Sequence, residues 1–184
     1  MKRSIISVAV LSAVFMSAGA FAANEIGTLT INGTVENSSC YFKNSDAKST
    51  ITLPNIDASR FSGLSTGATV GDEKRGDDST PMVIVCPVGT ELNTVRITGA
   101  QFTSGVLNKT SGDANGVGFN LALGDKQITD AEESNLKNEL TAKETNDGIE
   151  YTLDFKAKYA RLNSDIPVTA GTLSSVLTIS VSAD

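Results

Sequence analysis

The sequence predicts an antiparallel β-sandwich on three observations. Apolar residues recur at every second position in several short segments, those segments are bounded by Gly, Asn and Asp, and no 3.6-residue apolar period is sustained. Short alternating strands joined by turn residues bury one face each by packing sheet on sheet.

The chain opens with the three parts of a secretory signal. Met1-Lys2-Arg3 is basic, Ile5 to Met16 is mainly apolar, and Ala20-Phe21-Ala22 supplies small residues for cleavage. Residues 1–22 are therefore expected to be a signal peptide, leaving 162 residues. No later stretch approaches the roughly 20 apolar residues a membrane helix needs, so the exported chain is expected to be soluble. Directly behind the leader, Leu29, Ile31, Gly33 and Val35 alternate with Thr28, Thr30, Asn32 and Thr34, which predicts a strand. A strand at a terminus is normally frayed. The same alternation returns at the other terminus, where Leu173, Leu177, Ile179 and Val181 share a face. Both ends are thus built for sheet pairing, which points to strand exchange with a partner.

Between these ends, Pro81 to Cys86 is apolar on both faces and reads as a central strand. Val95 and Ile97 alternate with Arg96 and Thr98, and Val117, Phe119, Leu121 and Leu123 share a face between Gly116 and Gly124. The longest alternation is Ile149, Tyr151, Leu153, Phe155, Ala157 and Tyr159, read as one strand behind the turn Asn146-Asp147-Gly148. Residues 130–146 read as a solvated connection with one or two helical turns, since Asp130 and Glu133 have capping-box spacing and Leu136 and Leu140 lie four apart. Pro54 to Thr80 reads as a long exposed excursion anchored by Ile56 and Phe61.

Charge and cysteine content narrow the function. Without Lys2 and Arg3 the chain carries 13 basic and 21 acidic residues, a net charge of about −8. Nucleic acid and anionic lipid are poor partners for such a surface. Cys40 and Cys86 are the two cysteines, and in an exported chain one intramolecular disulfide is the expected arrangement, linking the first strand to the strand that ends at Cys86. Histidine is absent, so Ser-His-Asp and Cys-His catalysis and imidazole metal sites are excluded. Asp72, Glu73, Asp77 and Asp78 cluster in a polar loop with no apolar pocket to perturb them and read as a solvated face. No enzyme activity and no cofactor are expected.

With these residues laid out, the chain resembles subunits of chaperone–usher fimbriae of the type 1 pilin family. The resemblance is carried by Gly27-Thr-Leu-Thr-Ile-Asn-Gly-Thr-Val followed by Cys40, the strand-borne Cys86, Ala157-Lys-Tyr-Ala160, and Thr169-Ala-Gly171, with Gly171 fourteenth from the end. It implies an incomplete immunoglobulin-like β-sandwich in residues 34–184, completed by a donor strand from another subunit or a chaperone. It also implies that residues 23–33 form the donor extension, with Leu29 and Ile31 as apolar pegs and Gly27 and Gly33 where the groove is shallow. The acceptor groove falls on Gly171, Leu173, Leu177, Ile179 and Val181, with the carboxylate of Asp184 as a chaperone anchor. The partners implied are other fimbrial subunits, a periplasmic chaperone and an outer-membrane usher, on a route through the periplasm to a surface fimbrium that supports adhesion. The family usually carries an aromatic residue second from the end, where this chain has Ala183.

The alternative reading is a fimbrial adhesin or receptor-binding module. Arg75-Gly76-Asp77 matches an integrin-recognition tripeptide, but these are common residues in a charged loop. The glycosylation sequons at Asn32, Asn37 and Asn108 read as chance matches in the bacterial context the resemblance implies, and the acidic stretch around Asp113 and Asn115, which lacks the ligand series of a calcium loop, reads as a turn.

Overall fold

The computed structural model describes residues 27–35, 40–43, 48–76, 82–130 and 135–184. The signal leader, the first residues of the extension and Asp77 and Asp78 lie outside them.

The chain is all-β and of immunoglobulin-like type. Among the described residues, fourteen strands run in order: β1 Gly27–Val35, β2 Tyr41–Phe42, β3 Lys48–Leu53, β4 Thr69–Arg75, β5 Met82–Pro87, β6 Leu92–Thr98, β7 Phe102–Thr103, β8 Val106–Leu107, β9 Val117–Leu123, β10 Lys126–Ile128, β11 Thr141–Thr145, β12 Gly148–Leu153, β13 Phe155–Arg161 and β14 Leu173–Ala183. One sheet has the order β3-β1-β14-β6, a second β4-β13-β9-β8-β7 with β10 paired to β9, and a third β11-β12-β5-β2. Their inward faces merge in one apolar cluster that includes Ile51, Leu53, Phe61, Ile84, Val95, Phe119, Leu121, Phe155, Leu177 and Ile179. Without Trp, the packing is supplied mostly by Val, Ile and Leu, with Tyr159 stacked on Phe119 and edge-on to Phe61.

Predicted strands are found at Met82–Pro87, Leu92–Thr98, Val117–Leu123 and Leu173–Ala183. Three readings of the sequence need correction. The long alternation is two strands in two sheets, β12 beside β5 and β13 beside β9, divided at Asp154. There the backbone carbonyl accepts from Gly124 N–H at 2.9 Å and the carboxylate takes Arg75 at 3.0 Å, so both are drawn out of the β12 ladder. The apolar phase survives this crossing because Leu153 and Phe155 are both buried. The excursion from Pro54 to Thr80 contains β4, an edge strand with Val70 as its buried residue, and a 3-10 turn at Ala58–Phe61 that buries Phe61. The connection 130–146 contains a 3-10 turn at Leu136–Glu139 and strand β11, an edge strand exposed along most of its length.

Cys40 and Cys86 are disulfide-bonded, with Cα atoms 4.2 Å apart. The bond differs from the expected one in one respect: Cys40 immediately precedes β2, which pairs with β5, rather than lying in the first strand.

Candidate strand-acceptor groove

β14 is the wall on which the site is built. Eleven residues long, it buries Leu173, Ser175, Leu177, Ile179 and Val181 and leaves Val176 and Ser180 exposed, as a period of two requires. On one side, Thr178 to Ala183 pairs antiparallel with β6. Ahead of that pairing the β8–β9 loop takes the place of β6: Ser174 N–H donates to Ser111 O at 3.0 Å, and Thr110 N–H donates to Ser174 O at 2.8 Å. The Ser175 hydroxyl donates to Asn108 O at 3.0 Å. Lys109 fastens this loop internally, its ammonium donating to the carbonyl oxygens of Gly112, at 3.0 Å, and Ala114.

The opposite side of β14 is taken by β1, parallel and in register from Gly27↔Leu173 through Leu29↔Ser175, Ile31↔Leu177 and Gly33↔Ile179 to Val35↔Val181. β1 pairs antiparallel with β3 on its other edge, from Gly27↔Leu53 to Asn32↔Lys48. All other strand pairings among the described residues are antiparallel. The chain's own first strand therefore lies between β3 and β14 and joins two elements that meet through it.

Gly171 stands at the head of this wall for a steric reason. A Cβ there would lie 2.6 Å from Ala114 N and 2.8 Å from the Asp113 carbonyl carbon, so only glycine lets the β8–β9 loop close on the start of β14. Next to it a small apolar cleft is lined by Phe61, Val117, Tyr159, Val168, Gly171 and Leu173. At the other end of the wall, Asp184 N–H donates to Glu91 O at 3.1 Å, and its side-chain carboxylate accepts from Asn93 Nδ2 at 3.0 Å. Ala183 faces Leu92 after a register shift in the β14–β6 ladder.

The sequence-predicted acceptor residues Gly171, Leu173, Leu177, Ile179, Val181 and Asp184 thus line up along β14 and its two ends, and the predicted donor residues Gly27, Leu29, Ile31 and Gly33 lie in register beside it. Two contributors were missed. β3 supplies the second wall, and its Ile51 and Leu53 are fully buried; the alternation in Lys48-Ser-Thr-Ile-Thr-Leu is the signal that marks it. Ser175 holds an inward position that a purely apolar reading of the strand passes over.

Candidates for other chemistry are occupied by structural contacts. Arg75 pairs with Asp154, and Gly76 N–H donates to Phe155 O at 3.1 Å, so the first two residues of the Arg-Gly-Asp tripeptide continue the edge of the β4–β13 pairing. Glu73 lies 3.6 Å from Lys158. Asp57 has its carboxyl held below the ordinary carboxylate range by hydrogen bonds from Ser59, as the N-cap of the 3-10 turn.

Comparison with known proteins agrees with this architecture. The family model described as "Fimbrial protein" matches residues 29–184. The fimbrial-like protein YehD of Escherichia coli (strain K12) is 36% identical over 191 aligned positions that cover the whole of both chains. With an all-β immunoglobulin-like fold, a bonded Cys40–Cys86 pair and a match that spans β1 to β14, the chain belongs to the fimbrial protein family, as a subunit of the chaperone–usher type.

Proposed function

We propose that this chain is a structural, non-enzymatic subunit of a bacterial surface fimbria that polymerises by donor-strand exchange, residues 23–33 acting as donor and residues 34–184 as the pilin domain. The observation that carries this reading is the placement of β1, a terminal strand lying inside a sheet between β3 and β14. Removing it would open the ladders of both neighbours and uncover the buried face of β14. An open apolar edge of that kind must be covered or it aggregates. Recognition by β-strand addition covers such an edge, because an extended segment adds its backbone to the open ladder and its alternate side chains to the pockets beneath. In this proposal a periplasmic chaperone covers the groove before assembly, an outer-membrane usher is the site of exchange, and the finished fibre supports adhesion.

Chain connectivity explains why the strand is parallel to β14 when it fills its own groove. Val35 is followed within five residues by Cys40, tied to Cys86 at the Asp184 end of the molecule. Those five steps reach at most about 18 Å, whereas β1 is about 26 Å long, so the strand cannot turn round in its own groove. A strand donated by a second copy has no such tether. Reciprocal parallel exchange would yield a closed, two-fold swapped dimer, whereas antiparallel insertion leads head to tail into an open filament.

Deleting residues 24–33 tests the assignment. The shortened chain should remain folded when its groove is covered by a chaperone or by a peptide of residues 24–35 supplied in trans and, having no donor, should not fill the open groove at a polymer's end. A shortened chain that melts as a stable monomer with its groove empty would contradict the proposal.

A further inference from the structure

The ends of the molecule follow from strand direction. β14 runs from Leu173 to Ala183, and β6 returns antiparallel with Leu92 opposite Ala183, so the β5–β6 turn lies at the Asp184 end. The β13–β14 loop, residues 162–172, lies at the Leu173 end. Each end holds out an apolar side chain. Val88, at the tip of the β5–β6 turn, is 80% exposed, and Ile166, in the β13–β14 loop, is 42% exposed.

Both are held on fixed backbone. The Val88 turn is closed by Thr90 N–H donating to Pro87 O at 3.0 Å, and it is flanked by the disulfide at Cys86 and by the paired Glu91 and Asp184. The Ile166 loop is pinned by Arg161, a buried residue whose guanidinium donates to Gly116 O at 3.3 Å, Ser164 O at 3.3 Å and Ile166 O at 2.6 Å. A buried guanidinium spent on loop carbonyls positions that loop, and the position it sets leaves an isoleucine facing solvent. Neither side chain belongs to the buried apolar cluster or to the partly buried residues packed against it.

Antiparallel exchange decides what these two ends meet. The donor strand would enter the neighbour's groove with its Val35 end beside Leu173, and the donor's own body follows Val35 within a few residues through Cys40. The Asp184 end of the donor is thereby brought against the Leu173 end of the acceptor. We infer that the β5–β6 turn carrying Val88 docks on the Ile166 loop of a second copy of this chain, as a body-to-body contact that continues the exchanged strand. This inference rests on the strand-exchange reading above. It assigns the contact to successive subunits and gives the fibre a fixed geometry at each joint, because both loops are braced.

The test uses full-length chain carrying a benzophenone amino acid at position 88, polymerised with an equal amount of unsubstituted chain labelled with heavy nitrogen. Illumination should join position 88 of one copy to residues 162–168 of another. The Val88→Asp variant should leave the monomer's melting temperature unchanged and raise the concentration needed for assembly roughly tenfold, as loss of a central apolar contact does, and Ile166→Lys in the same chain should recover most of that loss. Crosslinks from position 88 to residues 82–92 of a second copy, or none in fibres whose β1 is protected as an exchanged strand, would overturn this contact and leave strand exchange standing. Fibres whose β1 stays in its own groove would overturn both.

Discussion

Ile179 and Ser180 are adjacent, and the pleat sends one into the core and the other to solvent. An aspartate at position 179 must leave its charge without a partner among Ile97, Val181 and the other side chains of the buried cluster, at a cost of several kcal/mol. At position 180 the same side chain meets water and should change stability by no more than about 0.5 kcal/mol. Ile179→Asp is therefore expected to abolish accumulation of folded subunit, while Ser180→Asp accumulates normally, as measured by soluble yield and denaturant midpoint. Equal losses in the two variants would show that the face of β14 is misassigned. Ser175 shows why the inward set was read incompletely: it is fully buried, yet its hydroxyl is satisfied by Asn108 O, a carbonyl 67 residues away that no local pattern predicts.

At the scale of the element, the disulfide fixes where β1 leaves the body. It closes 46 residues of chain, and in the chain-entropy model a loop of that size stabilises by about 4 kcal/mol. Replacing both cysteines by serine should lower stability by about 2–5 kcal/mol, read as a fall in the urea midpoint with a steeper slope, because the unfolded chain loses its crosslink and exposes more surface. An unchanged midpoint would mean that β2 and β5 hold Cys40 in place without the bond. The strands most legible in the sequence were those that carry their own alternation, such as β9 and β14, because one buried face writes the period directly. β4 and β11 were hidden because edge strands are exposed on most positions: Thr69–Arg75 buries Val70 alone. The division at Asp154 was hidden because it conserves the phase, and because the carboxylate that marks it answers to Arg75, far away in sequence. Lys156 follows from the same crossing. Sequence alternation places it outside, whereas its stem is buried and its ammonium reaches Asp125 at 3.3 Å.

Across the whole molecule, the sequence marked both termini as strands and left their relation open. Partner and polarity are set by a tether and a disulfide rather than by side-chain period, and in this structure they bring the two ends together as a parallel pair. That pairing is the one exception to an antiparallel fold among the described residues, and parallel ladders are slightly less stable per residue. Turning the strand round would make its longer interface, the nine positions shared with β14, antiparallel, at the expense of the six shared with β3. Moving residues 24–33 from the N-terminus to a position behind Asp184, through a short flexible linker, tests this most directly. The transplanted strand would start at the Asp184 end and run back along β14 as a hairpin, in the antiparallel sense and at high effective concentration. The expected product is a soluble monomer by size-exclusion chromatography, with a melting temperature above that of the natural chain and no capacity to join a fibre. A rearranged chain that melts below the natural one, or that still polymerises, would contradict it.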